Sequence, residues 1–456
     1  MSRRAIDRFF GWVCRTALAV FFRRIEVVGR DRLPATGPRM VVGNHVNGLI
    51  DPLFVLGTLG VPARLLGKST LWRIPVLAQL MDLAGVLPVY RAMDAGADRS
   101  RNEETFARCH DELARGGALS IFPEGTSHDD PRLKPLKTGA ARIAIGAELA
   151  RGPLGVRIVP FGLVFEERTR FRSRVLVVVG EPLDAAGEVE TARRDEPAAV
   201  RELTARIAAA LERVTLNYDS WEEARLIELA ADVLARGGEG ARRRPLAAEF
   251  DLQRRLADGL DPLRRELPAE VERAVAAARA YERLLRTTGL TDGQVEARPD
   301  WRAATGFVGR TLLRLLVASP VAALGTLLNV IPWLVVDAIS RRIEEANQIA
   351  TYKLYPSLVV YPVCWGLETL AAGHWLGCGA AALVALAAPL AGWVALRWHE
   401  RRELLWRESR AFLVLRNRRR VAAELRARRA AVASSAAALT ERWRALQGSP
   451  SESSRA

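Results

Sequence analysis

The chain has 456 residues, is 49% hydrophobic and 26% charged, and carries a net charge of +15. That balance excludes wholesale disorder and a collagen-like fibre, and the length allows about three domains. Four scattered cysteines (Cys14, Cys109, Cys364, Cys378) with no C-x-x-C among them exclude a disulfide framework and a recognisable zinc site. They suit a reducing compartment or a membrane. Of the basic residues, 4 are Lys and the other 63 Arg. The last 60 residues, from Arg397, hold 15 Arg against 6 Glu, a net of +9. A basic tail beside an apolar stretch fits an anionic membrane surface better than nucleic acid. No zinc-finger, RNP or basic-zipper pattern favours the nucleic-acid reading.

Residues 1–24 are basic and apolar in turn. Phe9, Phe10, Trp12, Val13, Ala17, Val20 and Phe21 share one broad helical face, flanked by Arg3, Arg4, Arg8 and Arg15. This is the composition of a helix lying in the headgroup plane, or of a first helix packed on a globular domain. Arg15 interrupts the apolar run and no small-x-small site follows, so a cleaved leader is not expected.

Residues 25–215 alternate short apolar runs with helix-like stretches, which predicts an α/β domain, a sheet covered by helices. The predicted strands are Arg39–Val42, Arg64–Leu66, Val86–Val89, Ala118–Phe122, Arg157–Phe165 and Arg174–Val179. Arg99–Arg115 and Thr138–Leu149 read as helices. Residues 216–310, rich in Ala, Arg, Glu and Leu, read as a helical connector with breaks near Gly237–Gly240, Pro268 and Gly289.

Residues 311–398 are predicted to be membrane-embedded. Leu315–Val336 has no charge, and its 22 residues make a helix of about 33 Å, enough for one crossing. Leu354–Leu396 carries a single formal charge, Glu368, and is about twice the length a bilayer needs. It should fold back near Gly373, His374 and Gly377–Gly379. All three flanks of these segments are positive, so the positive-inside rule wants them all cytoplasmic. Two hairpins satisfy it, with Pro320, Gly325, Asn329 and Pro332 letting the first segment enter and return. Residues 399–456 read as a basic helical tail, frayed over Ser449–Ala456.

Four loops concentrate chemistry. The first is Val42-Gly43-Asn44-His45-Val46-Asn47-Gly48-Leu49-Ile50-Asp51-Pro52, where a carboxylate that fixes the imidazole tautomer makes a better base. The second is Gly85-Val86-Leu87-Pro88-Val89-Tyr90-Arg91. The third is Ile121-Phe122-Pro123-Glu124-Gly125-Thr126-Ser127-His128, and the fourth Ile158-Val159-Pro160-Phe161-Gly162. His128 beside Asp129 and Asp130 lacks a third ligand at a useful spacing, so no metal is expected. Gly67-Lys68-Ser69-Thr70 lacks the first Gly of a nucleotide-binding P-loop, since Pro62 stands there. No G-x-S-x-G elbow exists and no Cys lies in the four loops, which argues against a covalent acyl-enzyme.

In order and spacing these loops closely resemble the sequence blocks of the glycerolipid acyltransferase superfamily, which acylates glycerol-3-phosphate and lysophosphatidic acid. The resemblance covers about residues 25–215. His45-Val46-Asn47 through Asp51-Pro52, with five residues between His and Asp rather than the usual four, and Phe122 through Asp129 look like the branch that acylates glycerol-3-phosphate or dihydroxyacetone phosphate. The resemblance implies His45 as general base, with Asp51 orienting it. It implies Arg91 on the acceptor phosphate, and Asn44, Glu124, Gly125, Thr126, Lys137 and Pro160 around the substrate. The expected protein is thus a membrane-bound O-acyltransferase with its catalytic domain on the cytoplasmic side. It moves an acyl group from acyl-CoA or acyl carrier protein to a phosphorylated glycerol-type acceptor, with no cofactor beyond that thioester, no metal and no nucleic-acid partner. A lysophospholipid acyltransferase and a catalytically silent lipid-binding protein are the alternatives.

Overall fold

A computed structural model describes residues 3–91, 99–236, 245–296 and 301–448. The expected break at Gly237–Gly240 and the frayed tail at Ser449–Ala456 lie outside the described residues. The chain divides into two compact units, residues 1–217 with 340–354, and residues 218–339 with 355–456.

The first unit is an α/β layer structure. In chain order it contains α1 (Arg3–Phe21), β1 (Arg24–Val28), β2 (Arg39–Gly43), α2 (Asp51–Leu53), β3 (Arg64–Lys68), α3 (Pro75–Ala84) and β4 (Leu87–Val89). There follow α4 (Asn102–Ala114), β5 (Ala118–Ile121), α5 (Gly139–Arg151), β6 (Arg157–Phe165), β7 (Arg174–Val179), α6 (Ala186–Ala192) and α7 (Glu196–Glu212). The seven strands form one sheet in the order β1-β7-β6-β2-β5-β3-β4. All neighbours are parallel except β6 and β7. Strands β2 and β7 are buried along their whole length, as strands covered on both faces must be. The six predicted strands are present. Strand β1, which was not foreseen, is a charged edge strand, Arg24-Ile25-Glu26-Val27-Val28, whose pattern is too polar to stand out.

Helix α1 packs on this unit through Cys14, Ala17, Leu18 and Phe21, and leaves Phe9 and Trp12 exposed. Its backbone at Cys14 and Arg15 comes so close to Gly57 that an added Cβ would lie 2.7 Å from the Arg15 nitrogen. Arg172, at φ 64°, donates Nη1 to the carbonyls of Ala19, Val20 and Phe22. It thereby satisfies carbonyls that the helix end leaves open.

The second unit is helical: α8 (Trp221–Arg236), α9 (Leu246–Glu266), α10 (Pro268–Thr288), α11 (Asp292–Glu296), α12 (Trp301–Ser340), most of α13 (Ala346–Leu376), α14 (Cys378–Asn417) and α15 (Arg419–Gly448). The expected breaks fall where Pro268 opens α10, where Gly289 ends it at φ 67°, and where Gly377 separates α13 from α14. The segments read as a connector and a basic tail differ from expectation. They share one core in which Leu226, Val233, Tyr281 and Leu285 meet Leu425 and Val432. Arg429 Nε donates to the buried carboxylate of Asp292 at 2.9 Å, which also accepts from the Tyr281 hydroxyl at 2.9 Å. The boundary drawn at 398/399 is likewise absent, because α14 runs unbroken to Asn417.

The re-entrant reading of the first apolar segment is corrected. α12 is one helix of 40 residues that passes through Pro320 and Pro332. Pro320 has no N–H for the carbonyl of Leu316, and the Ser319 hydroxyl donates to that oxygen at 2.8 Å instead. Hydroxyl repair of this kind lets an apolar helix carry proline without breaking. Gly325 lies against Ala391, and Asn329 donates to the Ala388 carbonyl at 3.1 Å, a close approach of small residues and one amide. Among the described residues, two helical stretches, Thr305–Ser340 and Cys378–Asn417, are long and apolar enough to cross a membrane.

Candidate active site

In a parallel sheet, loops leaving the carboxyl ends of neighbouring strands meet above one edge. β2 and β5 are adjacent and in register, with Val42 opposite Ile121. The His45 loop and the Glu124 loop follow those two strands directly. β6, on the other side of β2, continues four residues past the level of Gly43, which pairs with Phe161. The loop after β6 therefore also reaches this region.

The turn after β2 places His45 and Asp51 together. His45 Nδ1 lies 2.9 Å from Asp51 Oδ2, and the same oxygen accepts the Asn47 backbone N–H at 2.8 Å. Asp51 is fully buried, while the His45 side chain keeps 19% of its surface. Burial pushes the Asp51 carboxyl above its ordinary range, and the hydrogen bonds from His45 and Asn47 pull it back. A proton on Nδ1 satisfies the contact with Asp51 and leaves Nε2 with its lone pair. The ring stacks on Phe122 at 4.6 Å between centroids, and Phe122 meets Phe161 edge to face at 6.0 Å. Gly43 is required beneath them, because an added Cβ would sit 2.3 Å from the Phe161 ring.

Glu124 is 2% exposed, and both its oxygens are occupied. Oε1 accepts the His45 backbone N–H at 2.7 Å, and Oε2 accepts the Lys134 N–H at 2.8 Å and contacts His128 Nε2. The Asp130 N–H donates to His128 Nδ1 at 3.1 Å, which puts the ring proton on Nε2, facing the carboxylate. Glu124 therefore shapes the site as a buried brace between two loops, not as a group open to a ligand.

Arg91 comes from the end of the β4 segment and donates Nη1 to the Gly125 carbonyl at 2.6 Å. Gly125 has φ 74°, and a Cβ there would meet Lys137 Cγ at 3.2 Å. Lys137 is exposed just before α5, and its backbone N–H bonds to the Pro123 carbonyl at 2.7 Å. Thr126 keeps its hydroxyl within its own turn, donating to the Ser127 carbonyl at 3.2 Å. The structure thus gathers His45, Asp51, Arg91, Glu124, Gly125, Thr126 and Lys137.

Two residues expected around the substrate lie within the strand layer. Asn44 is buried, and its amide pairs with both backbone groups of Leu163, donating at 3.1 Å and accepting at 2.7 Å. It continues the ladder where β2 has ended, so it clamps strands together. Pro160 is buried inside β6, opposite Val42, and its carbonyl accepts from Gly180 at 2.8 Å. It faces neighbouring strands, not solvent.

Arg168, in the loop after β6, was not foreseen. Its Nη2 pairs with Asp129 at 2.5 Å, and its carbonyl accepts from Asn47 Nδ2 at 3.5 Å. Burial lowers its pKa, opposed by Asp129 and Asp51. Its sequence neighbourhood, Glu166-Glu167-Arg168-Thr169-Arg170, looks like an ordinary charged turn. No group of three or more His, Cys, Asp or Glu is arranged to hold a metal among the described residues. A cavity of about 500 Å³ opens in the second unit among residues such as Leu226, Leu263, Val432 and Trp443, but it contains none of these site residues. Its rim cations are partly neutralised, Arg264 by Glu223 and Arg279 by Glu222.

Residues 24–164 match the Acyltransferase family. Over 286 residues, 59% of the chain, the sequence is 29% identical to glycerol-3-phosphate O-acyltransferase 2 of Saccharomyces cerevisiae, covering 38% of that protein. It is 29% identical over 195 residues to glycerol-3-phosphate O-acyltransferase 1 of the same yeast, covering 42% of this chain and 25% of that protein. It is 27% identical over 186 residues to a chloroplastic 1-acyl-sn-glycerol-3-phosphate acyltransferase of Arabidopsis thaliana, covering 40% of this chain and 49% of that protein. The matches span less than half the length of each of these relatives.

Proposed function

We propose, on the premise that residues 24–164 form an acyltransferase domain of the glycerolipid acyltransferase superfamily, that this protein transfers a fatty acyl group from a thioester to a hydroxyl of glycerol-3-phosphate or dihydroxyacetone phosphate. The observation that carries this reading is the 2.9 Å contact of His45 Nδ1 with the buried Asp51 carboxylate. His45 Nε2 takes the proton of the acceptor hydroxyl as its oxygen attacks the thioester carbonyl. Asp51 stabilises the imidazolium that forms. The C–O bond forms, the C–S bond breaks, and the thiolate leaves with the proton that His45 held. The step uses no co-reactant besides acyl-CoA or acyl carrier protein.

Arg91 and Lys137 flank the Gly125 turn and supply the positive charge for the acceptor phosphate, Arg91 through its planar fork of donors. The apolar helices hold the enzyme in a membrane, where the acylated product belongs, with the His45 loop on the cytoplasmic side that the Arg-rich flanks favour. The similarity to a 1-acyl-sn-glycerol-3-phosphate acyltransferase supports a second acceptor class, lysophosphatidic acid. Purified full-length protein incubated with labelled acyl-CoA and each of the three acceptors tests the reading. Labelled monoacyl product from either small acceptor supports it. Product from lysophosphatidic acid alone selects the second reading, and no product from any of the three overturns both.

A further inference from the structure

Residues 340–354 lie some 300 positions from the His45 loop in sequence, yet they belong to the α/β unit. Ala350 and Leu354 are buried in its core beside Ile50, Phe54 and Phe22. The first turns of α13 are therefore part of the same packed body as the dyad. Their contact with the loop is direct. The Leu49 backbone N–H donates to Thr351 Oγ1 at 3.1 Å. Gly48, at φ 52°, presses against the same hydroxyl, and an added Cβ would lie 2.8 Å from Thr351 Oγ1 and 3.1 Å from the Asn347 carbonyl oxygen.

A second route runs through the loop after β6. Lys353 Nζ donates to the Thr169 carbonyl at 2.8 Å, and the neighbouring Arg168 carbonyl accepts from Asn47. Asn47 in turn gives its N–H to Asp51 Oδ2, the oxygen that holds His45. Gly48, in the left-handed region, leaves the Val46-Asn47-Gly48 segment little backbone stiffness of its own. Its geometry is set by what grips it from outside, and α13 supplies grips at Leu49 and, through Arg168, at Asn47.

We propose that the first turns of α13, acting chiefly through the Thr351 hydroxyl, position the His45–Asp51 loop for catalysis. This rests on the acyl-transfer reading for its kinetic consequence, although the geometric part stands without it. Thr351 touches no reacting atom and is a positioning residue. Valine has nearly the shape of threonine but cannot accept the Leu49 N–H, whereas serine can.

The test uses full-length protein in detergent with Thr351→Val and Thr351→Ser. We measure kcat, the KM of each substrate, and hydrogen–deuterium exchange of a peptide spanning residues 46–50. Thr351→Val should lower kcat about fivefold or more, the scale of one lost hydrogen bond, with both KM values within about twofold. Exchange in the 46–50 peptide should rise by a similar factor. Thr351→Ser should restore both. Should Thr351→Val fail to fold, Lys353→Met reads the second route, with a smaller loss of kcat and faster exchange in the same peptide expected. Wild-type kcat and exchange in Thr351→Val overturn the proposal, as does a serine variant as impaired as valine or a Lys353→Met protein indistinguishable from wild type. If wild-type protein acylates no acceptor, the acyl-transfer reading falls. The exchange comparison still decides the positioning, with faster exchange in valine than in serine upholding it.

Discussion

In the α/β unit, the sheet and the helices packed on it bury a core of large apolar side chains. Phe21, Phe22, Phe54, Phe161 and Met40 are fully buried, and so is the Asp51 carboxylate that holds His45. The helices α12 to α14 do the reverse. Leu316, Val317, Leu327, Leu370 and Trp375 are each 70% exposed or more. A side chain of this size is stabilised by about 1.5–3 kcal/mol when it leaves water, so a row of them cannot be an aqueous surface. The two regions face the same physical demand, which one meets with its own core and the other, on the reading proposed above, would meet with lipid. The difference explains why the site sits where it does, since the ordered hydrogen bonds around His45 need a rigid core beneath them.

The sharpest way to break this comparison is extraction. Full-length protein should stay with membranes in high salt and alkaline carbonate and be released by detergent, because α12 to α14 leave many large apolar side chains uncovered. Recovery in the carbonate supernatant would mean that those helices find cover among themselves or in a partner, and the contrast between the regions would vanish.

Within the α/β unit, His45→Ala should cut turnover by about 10²–10⁴-fold while the melting temperature stays close to wild type. Asp51→Asn should cost less, since the amide oxygen can still accept from His45 Nδ1 and hold the imidazole near its place while the charge is lost. A folded His45→Ala protein with near-normal activity would remove the reason for the buried brace around that loop.

Thiol labelling compares the regions directly. Burial pushes the Cys14 thiol up to about 11 and the Cys109 thiol up to about 12, whereas Cys378, just after the α13–α14 turn, is exposed. At pH 8 both buried thiols stay protonated, because the pH lies well below either value, and the thiolate is the reacting form. A water-soluble maleimide should label Cys378 at least ~100-fold faster than Cys14 or Cys109 in folded, detergent-solubilised protein. Equal rates would show that the α/β unit opens readily.

The smallest effect concerns Arg91. Arg91→Lys keeps the charge but loses the fork, so the KM of the phosphorylated acceptor should rise about tenfold while that of the donor moves little. A rise confined to the donor would assign Arg91 to the other substrate and leave Lys137 as the acceptor's cation.

Motif chemistry and hydropathy made much of this legible in the sequence. His45 and Asp51 are six positions apart on a turn, and local chain geometry alone brings them together. The strands read as apolar runs because both faces of a parallel sheet are buried, and the uncharged stretches announce themselves by length. Asn44, Glu124 and Pro160 show the limit of that reading. They stand in the right blocks, but whether such a residue faces a ligand or a neighbouring strand depends on what packs across from it, and those partners (Leu163, His45 and Gly180) lie elsewhere in the chain.

What the sequence determined by itself was therefore the short-range part: the dyad, the strands, the apolar helices and the turn at Gly377. Tertiary structure alone decided the long-range part. It bound the residues around 220–296 to α15 through a shared core and brought Thr351 to the Leu49 amide. Periodicity and spacing report a residue's relation to its neighbours over a few turns. A hydrogen bond between positions 302 residues apart leaves no periodic trace, because it is fixed by the packing of whole elements.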